Sequence, residues 1–283
     1  MNLERSLFRL GEAVAWWVVR PPRLPPVVTP GMLGLPYRRF RLQGAGPALA
    51  AWHVPSPGSR RGLVLCHGHA NSRLAVLRLL RPLHRAGFHL VLFDQRSMGI
   101  SPGRCSFGFH EQDDTLAALR WLREEAGVEH LGLYGISMGG ACALLAAARA
   151  PEVEAVVSDC AFARLDEVVE RRFRHLPPGL RAPFSQGVRC GAERETGAQS
   201  ETVNPEEALR QWQPRPLLVI HGDRDSLIPV EHAQRLVAAA GPGAELWVLP
   251  GAGHAGQSRW GRADPREYVR RVVGFFDQHV PNR

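Results

Sequence analysis

A serine-centred pentapeptide constrains this chain more than any other feature. Residues 135–139 read G-x-S-x-G around Ser137, with an apolar run before them and an alanine-rich run after them. This order predicts a strand, a sharp turn that carries the serine, and a helix whose N-terminal N–H groups face it. Gly135 and Gly139 are required because a Cβ at either position would collide with neighbouring backbone. An ordinary helix entry could share the pattern, so a nucleophilic Ser137 needs a base and an acid elsewhere.

Two later segments supply candidates for both groups. Residues 216–220 predict a buried strand that is followed by Asp223 and Asp225, and residues 244–249 predict another that is followed by His254. Each candidate lies just beyond the carboxyl end of a predicted strand, which is the edge where parallel sheets bind ligands. Asp223 would point to the opposite side from Asp225 if the strand continued, as a turn-capping or surface carboxylate. Asp159, after another strand-like run, is a third candidate for the acid.

The chain resembles the α/β-hydrolase superfamily, specifically its serine esterase and prolyl-oligopeptidase-like branch, over about residues 30–283. Four segments carry the resemblance: Leu65-Cys66-His67-Gly68-His69, the run from Asp94 to Ser101, the serine turn, and the acid and histidine segments. The resemblance implies Asp225 as the acid, through an H-G-x-x-D pattern, and His254 as the base. It also implies that the backbone N–H groups of His69 and Met138 form an oxyanion hole. The chain departs from the family at Ser97, where relatives often have glycine; this loop shapes the site wall, so the change bears on substrate fit.

Alternating strands and helices predict an α/β fold, with a mostly parallel sheet flanked by helices in one domain spanning residues 1–283. Two opening strands, residues 37–42 and 48–53, predict an antiparallel hairpin. Residues 161–213 are far longer than a usual connection and, by analogy with the family, predict a helical lid over the site.

Within this lid, residues 164–173 predict a helix, residues 193–202 a polar surface loop, and residues 205–209 a helix capped by Asn204. Six arginines between Arg171 and Arg194 are interpreted as a solvated surface, with an acidic substrate as the alternative. The candidates for an acyl pocket are Phe173, Leu176 and Phe184.

Residues 1–30 predict an N-terminal helix followed by a proline-rich connector. The apolar stretch of residues 6–19 contains Arg9 and Glu12 and is too short to span a membrane. No small-residue cleavage site of a signal peptide follows it. We expect an amphipathic helix packed on the domain or on a neighbouring subunit; a peripheral membrane contact through Trp16 and Trp17 is the alternative.

Composition excludes several other classes of protein. The net charge is +8, but the arginines are dispersed and no nucleic-acid-binding motif occurs, so we expect no nucleic-acid partner. Five cysteines without close pairing favour a reducing cytoplasm over a disulfide framework. The pair His67 and His69 has no third ligand within residues 70–83, so we expect no metal. Without a dinucleotide fingerprint or a phosphate loop, we expect no cofactor.

The sequence therefore predicts a serine hydrolase that cleaves carboxylic esters of a small-molecule acyl substrate through Ser137, His254 and Asp225. Thioester, lactone and peptide bonds are alternatives within the same chemistry. Two other hypotheses are a binding protein that keeps the fold without turnover, and a metal-dependent hydrolase that uses His67, His69, His221 and Asp223.

Overall fold

The strands of the protein form one eight-stranded sheet in the order β1-β2-β4-β3-β5-β6-β7-β8. The computed structural model describes residues 3–255 and 264–282. The strand β2 pairs antiparallel with β1 and β4, and all the other pairs are parallel. This arrangement confirms both the opening hairpin and the mostly parallel sheet. The strands are β1 Arg38–Leu42, β2 Leu49–Val54, β3 Arg61–Cys66, β4 His89–Phe93, β5 His130–Ile136, β6 Val153–Asp159, β7 Leu217–Gly222 and β8 Ala244–Leu249.

Helices cover both faces of the sheet. In the described residues they are α1 Leu3–Val18, α2 Leu77–Arg85, α3 Glu111–Ala126, α4 Met138–Arg149, α5 Leu165–Arg172, α6 Pro178–Thr196, α7 Pro205–Arg210, α8 Val230–Ala240 and α9 Pro265–His279. Short 3-10 helices occupy Pro30–Leu33, Arg73–Val76 and Ser200–Thr202. Apolar residues of α3, α4 and α8 pack on one face, and those of α2 and α9 on the other. The central strands β3 to β7 are therefore buried on both sides, which explains their nearly continuous apolar sequences.

The segment between β6 and β7 differs from its predicted form. The helix α5 and the Asn204-capped helix α7 are confirmed, since the Asn204 side chain accepts a hydrogen bond from the Glu207 N–H. Residues 193–202, however, were wrongly predicted as a loop. They contain the end of α6, a left-handed Gly197 and the 3-10 turn Ser200–Thr202, which the Glu193 carboxylate holds through the Ser200 N–H at 3.1 Å.

The helix α6 has an unusual sequence because it packs in parallel against α1. Pro183 and three glycines are unfavourable in a helix, but a Cβ added at Gly187 would lie 2.0 Å from the Phe8 carbonyl oxygen. A Cβ added at Gly191 would lie 2.7 Å from the Ala15 Cβ. Glycine therefore permits the two backbones to approach each other directly. None of the helices in the described ranges is both long and apolar enough to cross a membrane.

Candidate active site

Ser137 occupies a strained turn between β5 and α4. Its backbone angles are φ 54° and ψ −122°, a region that non-glycine residues rarely adopt. A Cβ added at Gly135 would lie 2.1 Å from the Gly139 oxygen, and one at Gly139 would lie 2.4 Å from the Cys66 oxygen. The two glycines thus allow the turn to close, and the turn presents the serine at the carboxyl edge of the sheet.

Three of the predicted site residues form a continuous hydrogen-bonded chain. Ser137 Oγ lies 2.9 Å from His254 Nε2, and His254 Nδ1 lies 2.7 Å from Asp225 Oδ2. An ionised carboxylate can only accept hydrogen bonds, so His254 donates one to Asp225 from Nδ1. Its Nε2 therefore accepts the hydrogen bond from the serine hydroxyl. The residues follow β5, β8 and β7 respectively, so the parallel sheet brings together positions that are far apart in sequence.

Asp225 is buried and remains strongly acidic. Its Oδ1 accepts hydrogen bonds from the backbone N–H groups of Leu227 (2.9 Å) and Ile228 (2.8 Å), and His221 Nε2 lies 3.4 Å from Oδ2. Burial alone would raise the pKa of Asp225, but the nearby His221 imidazole and the hydrogen bonds from His254 and Ile228 outweigh it and hold the pKa well below its usual range. The carboxylate next to His254 is therefore ionised at neutral pH.

The other two aspartates have different partners. Asp223 is exposed and accepts a hydrogen bond from the Gly251 N–H at 2.6 Å, which is the turn-capping role expected from the sequence. Asp159 is buried and accepts one from the Tyr268 hydroxyl at 2.8 Å. Asp225 accepts the hydrogen bond from His254 Nδ1. Among the three candidate acids, it is therefore Asp225 that contacts the imidazole.

His69 and Met138 line the same cavity as Ser137. Met138 is the first residue of α4, so its backbone N–H has no acceptor within the helix. Across residues 3–255 and 264–282, neither this N–H nor that of His69 donates a hydrogen bond. Gly68 lies against the serine turn, because a Cβ added there would be 3.2 Å from the Ser137 Cβ.

The imidazole of His69 is fixed by groups that the sequence did not indicate. Its Nε2 donates to the Val18 carbonyl at the end of α1 (3.2 Å), and its ring stacks on Phe107 with centroids 4.8 Å apart. Burial lowers the pKa of His69, in spite of the hydrogen bond to Val18. Phe107 has a left-handed backbone, φ 56°, in a loop that the buried Glu111 holds. The stacking of Phe107 on His69 joins residues that are far apart in sequence, so no local pattern signals it.

A cavity of about 510 Å³ opens beside Ser137. Its lining is mostly apolar and comes from α1, α5, α6 and the loop that carries Phe107. Of the three predicted acyl-pocket residues, Phe173 lines the cavity; Phe184 instead packs edge-to-face on Phe173, and Leu176 is also outside the lining. The apolar lining residues include Val14, Val18, Phe107, Phe162, Leu165, Val168, Val169, Phe173, Val188, Leu227 and Ile228.

The ring nitrogens of His67 are both used within the protein. Nδ1 donates to the Gly68 oxygen at 2.7 Å, and Nε2 accepts the Gln95 backbone N–H at 3.0 Å. Burial lowers the pKa of His67 to about 4, so the ring is neutral. In the described part of the chain, no three metal-ligating side chains cluster together. His67 is therefore placed to shape the loop before His69.

Comparison with known proteins identifies the family. Residues 63–190 match the family model of the alpha/beta hydrolase fold. The uncharacterized protein Rv2307c of Mycobacterium tuberculosis is 32% identical over 216 residues, which cover 74% of this chain and 69% of that protein. YqkD of Bacillus subtilis is 27% identical, with 74% and 70% covered. The chain therefore belongs to the α/β-hydrolase superfamily.

Solved structures agree with this assignment. The Pyrococcus furiosus esterase Pf2001 superimposes with a TM-score of 0.75 and 26% identity, covering 92% of this chain and 99% of that chain. The likeness extends over nearly the whole length of both proteins. The predicted esterase branch of the superfamily is consistent with this neighbour.

Proposed function

We propose that this protein is a serine hydrolase that cleaves carboxylic esters with small or medium acyl chains. The observation that supports it best is the chain of hydrogen bonds from Ser137 through His254 to Asp225, at the wall of an apolar cavity. The esterase activity named for Pf2001, a structural neighbour at 26% identity, is consistent with it.

In this mechanism Ser137 Oγ attacks the ester carbonyl while His254 Nε2 takes its proton. The ionised Asp225 holds the tautomer of His254 and stabilises the imidazolium that forms. The free N–H groups of His69 and Met138 donate to the oxyanion, and each such donor typically contributes about 10²–10³ in rate. His254 then gives this proton to the ester oxygen as its bond to the acyl carbon breaks, which releases the alcohol. Water next attacks the acyl-enzyme with His254 as the base, and the proton returns to Ser137 Oγ as the acid leaves. No cofactor is needed for these steps.

A fluorophosphonate probe, which labels activated serines, tests the proposal directly. We expect the wild type and Ser200→Ala, a second serine in the same cavity, to be labelled, and Ser137→Ala to be unlabelled. Turnover of p-nitrophenyl esters should fall by about 10⁴-fold or more in Ser137→Ala. Normal ester hydrolysis by a folded Ser137→Ala would refute the proposal.

A second set of substrates separates esters from related acyl compounds. A p-nitrophenyl ester series from acetate to laurate locates the preferred chain length, and a thioester series and peptide p-nitroanilides serve as competitors. We expect esters to give the highest kcat/KM because the cavity offers an apolar acyl site. A higher kcat/KM for a peptide or thioester would reassign the substrate class while keeping the mechanism.

A further inference from the structure

The helix α1 carries apolar residues on two neighbouring stripes. Val14 and Val18 line the cavity beside Ser137. Leu3, Leu10 and Trp17, spaced seven residues apart, lie on one exposed stripe and are 62%, 55% and 70% exposed. Large apolar side chains rarely remain this exposed in a row unless the surface has a partner.

The two stripes touch along the helix. Val14 is four residues after Leu10 and three before Trp17, spacings that make side chains neighbours on a helix. The apolar surface therefore continues from the cavity wall to the outside of the protein. An acyl chain that leaves an apolar medium beside α1 could follow this surface to Ser137 without crossing water.

Unpaired positive charge borders the same surface. Arg9 on α1 and Arg23 after it are exposed, as is Arg172 in the cavity lining, and none of these guanidinium groups forms a hydrogen bond or an ion pair within residues 3–255 and 264–282. Both acidic residues of α1 are engaged: Glu12 pairs with Arg194 at 2.5 Å, and Glu4 also has a partner. Together with the net charge of +8, these arginines complement an anionic surface. Tryptophan suits the interface between water and lipid because its ring is apolar and its N–H is polar.

The end of α1 is also connected to the site. The Val18 carbonyl accepts from His69 Nε2 at 3.2 Å, and the Val19 carbonyl accepts from the Cys105 N–H at 2.9 Å. A surface that holds α1 in place would therefore hold one wall of the cavity and the loop that follows His67.

We propose that the exposed face of α1 docks on an anionic lipid surface and that Ser137 receives ester substrates carried in that surface. The docking stands on α1 itself, and the substrate class rests on the hydrolase function proposed above.

Sedimentation with vesicles tests the docking. We expect the full-length protein to bind vesicles of phosphatidylglycerol and phosphatidylcholine (1:1) and to bind pure phosphatidylcholine weakly. Trp17→Ser should lower the partition coefficient by about tenfold through lost apolar burial. Arg9→Gln should lower it by about fivefold through lost attraction to anionic lipid.

The matched controls are Met32→Ser, at a site that is 69% exposed outside α1, and Arg120→Gln, at an exposed and unpaired arginine on α3. Both should bind as the wild type does. Absence of vesicle binding, or equal losses in the controls, would overturn the docking. So would a dimer that Trp17→Ser dissociates in analytical ultracentrifugation, because a second copy would then cover the face.

Activity separates the two proposals. Trp17→Ser should hydrolyse dissolved p-nitrophenyl butyrate as the wild type does and lose about tenfold on p-nitrophenyl laurate carried in the vesicles. Equal rates of the two proteins on the vesicle-borne ester would overturn the substrate class. If the wild type hydrolyses none of the esters, thioesters and peptide p-nitroanilides, the hydrolase proposal is wrong, whereas the sedimentation result still decides the docking.

Discussion

At the scale of single residues, Asp223 and Asp225 show how neighbouring carboxylates acquire different chemistry. Asp225 is buried and accepts hydrogen bonds from two backbone N–H groups. Its Oδ2 lies 2.7 Å from His254 Nδ1 and orients the imidazole. Asp223 is exposed and caps a turn through the Gly251 N–H. The contrast arises from the turn after β7, which buries one carboxylate next to the imidazole and leaves the other in water.

These two residues form a matched pair for mutation. Asp225→Asn should lower kcat by about 10⁴-fold, because the amide no longer fixes the Nδ1–H tautomer of His254. Asp223→Asn should leave kcat unchanged, since the side chain contacts neither Ser137 nor His254. Steady-state hydrolysis of p-nitrophenyl butyrate by both variants measures the difference, and similar rates for the two would contradict the proposed role of Asp225.

Glu111 shows how a buried residue acts on the site through a loop. Its carboxylate accepts from the Ser106 N–H (2.9 Å), the Ser106 hydroxyl (2.6 Å) and the Gly108 N–H (2.8 Å). Phe107, between these two residues, then adopts its left-handed backbone and stacks on His69.

Glu111→Gln replaces one acceptor oxygen by an NH₂ group that faces N–H donors. We expect the free energy of unfolding to fall by about 1.5–3 kcal/mol, the usual range for hydrogen bonds to a charged group. Glu124→Gln, at an exposed position of the same helix, should change it by less than about 0.5 kcal/mol. Urea titration of both variants provides the test, and equal midpoints would show that Glu111 does not hold the loop.

At the scale of secondary-structure elements, the contact between α1 and α6 depends on missing side chains. Gly11, Gly187 and Gly191 all lie where an added Cβ would come within 3 Å of the other helix. The wall of the cavity is therefore built on two helices whose separation is set by glycine.

Gly187→Ala should separate the helices, because its Cβ would overlap the Phe8 carbonyl oxygen. We expect a loss of about 1–3 kcal/mol in the free energy of unfolding. Gly179→Ala lies on the same helix, with nothing within 4 Å of the new Cβ, and should raise stability by about 0.5–1 kcal/mol. Thermal melts of the two variants should therefore shift in opposite directions; a shift in the same direction would contradict the backbone contact.

At the scale of the whole molecule, a buried polar network joins the sheet to the last described helix. The Tyr134 hydroxyl on β5 lies 2.7 Å from the Tyr268 hydroxyl on α9. The Tyr268 hydroxyl in turn donates a hydrogen bond to Asp159 at the end of β6. Burial raises the pKa of Asp159 to about 6, in spite of the Tyr268 hydrogen bond and the nearby His221 and His254.

This network makes global stability depend on pH. In the unfolded chain Asp159 has an ordinary pKa of about 3.9. The higher affinity of the folded protein for this proton therefore contributes its full stabilisation below that pH. The contribution is lost as pH rises through about 6, by about 3 kcal/mol in total. Asp159→Asn should therefore lack this loss, and its stability relative to the wild type should increase from pH 4 to pH 8.

Urea titrations of both proteins at half-unit pH steps measure this difference, with the exposed Asp223→Asn as the control. If the difference in the free energy of unfolding between the two proteins stays constant with pH, burial does not raise the pKa of Asp159.

The sequence by itself determined the sheet, the serine turn and the order of the site residues, because each depends on local features. Apolar runs specify the buried strands. The G-x-S-x-G spacing places glycine at the two positions where the strained turn has no room for a Cβ. Positions just beyond strand ends then gave Ser137, Asp225 and His254, since parallel strands bring those ends together. A resemblance to known hydrolases was still needed to prefer Asp225 over Asp223 and Asp159.

Only the tertiary structure decided how α1 and α6 form the cavity, and which partners hold His69. Pro183 and three glycines make α6 unfavourable as an isolated helix, and its formation depends on backbone contact with residues nearly 180 positions earlier. The same holds for the partners of His69, which are the Phe107 ring and the Val18 carbonyl of α1. Such contacts join segments distant in sequence, so no local periodicity records them.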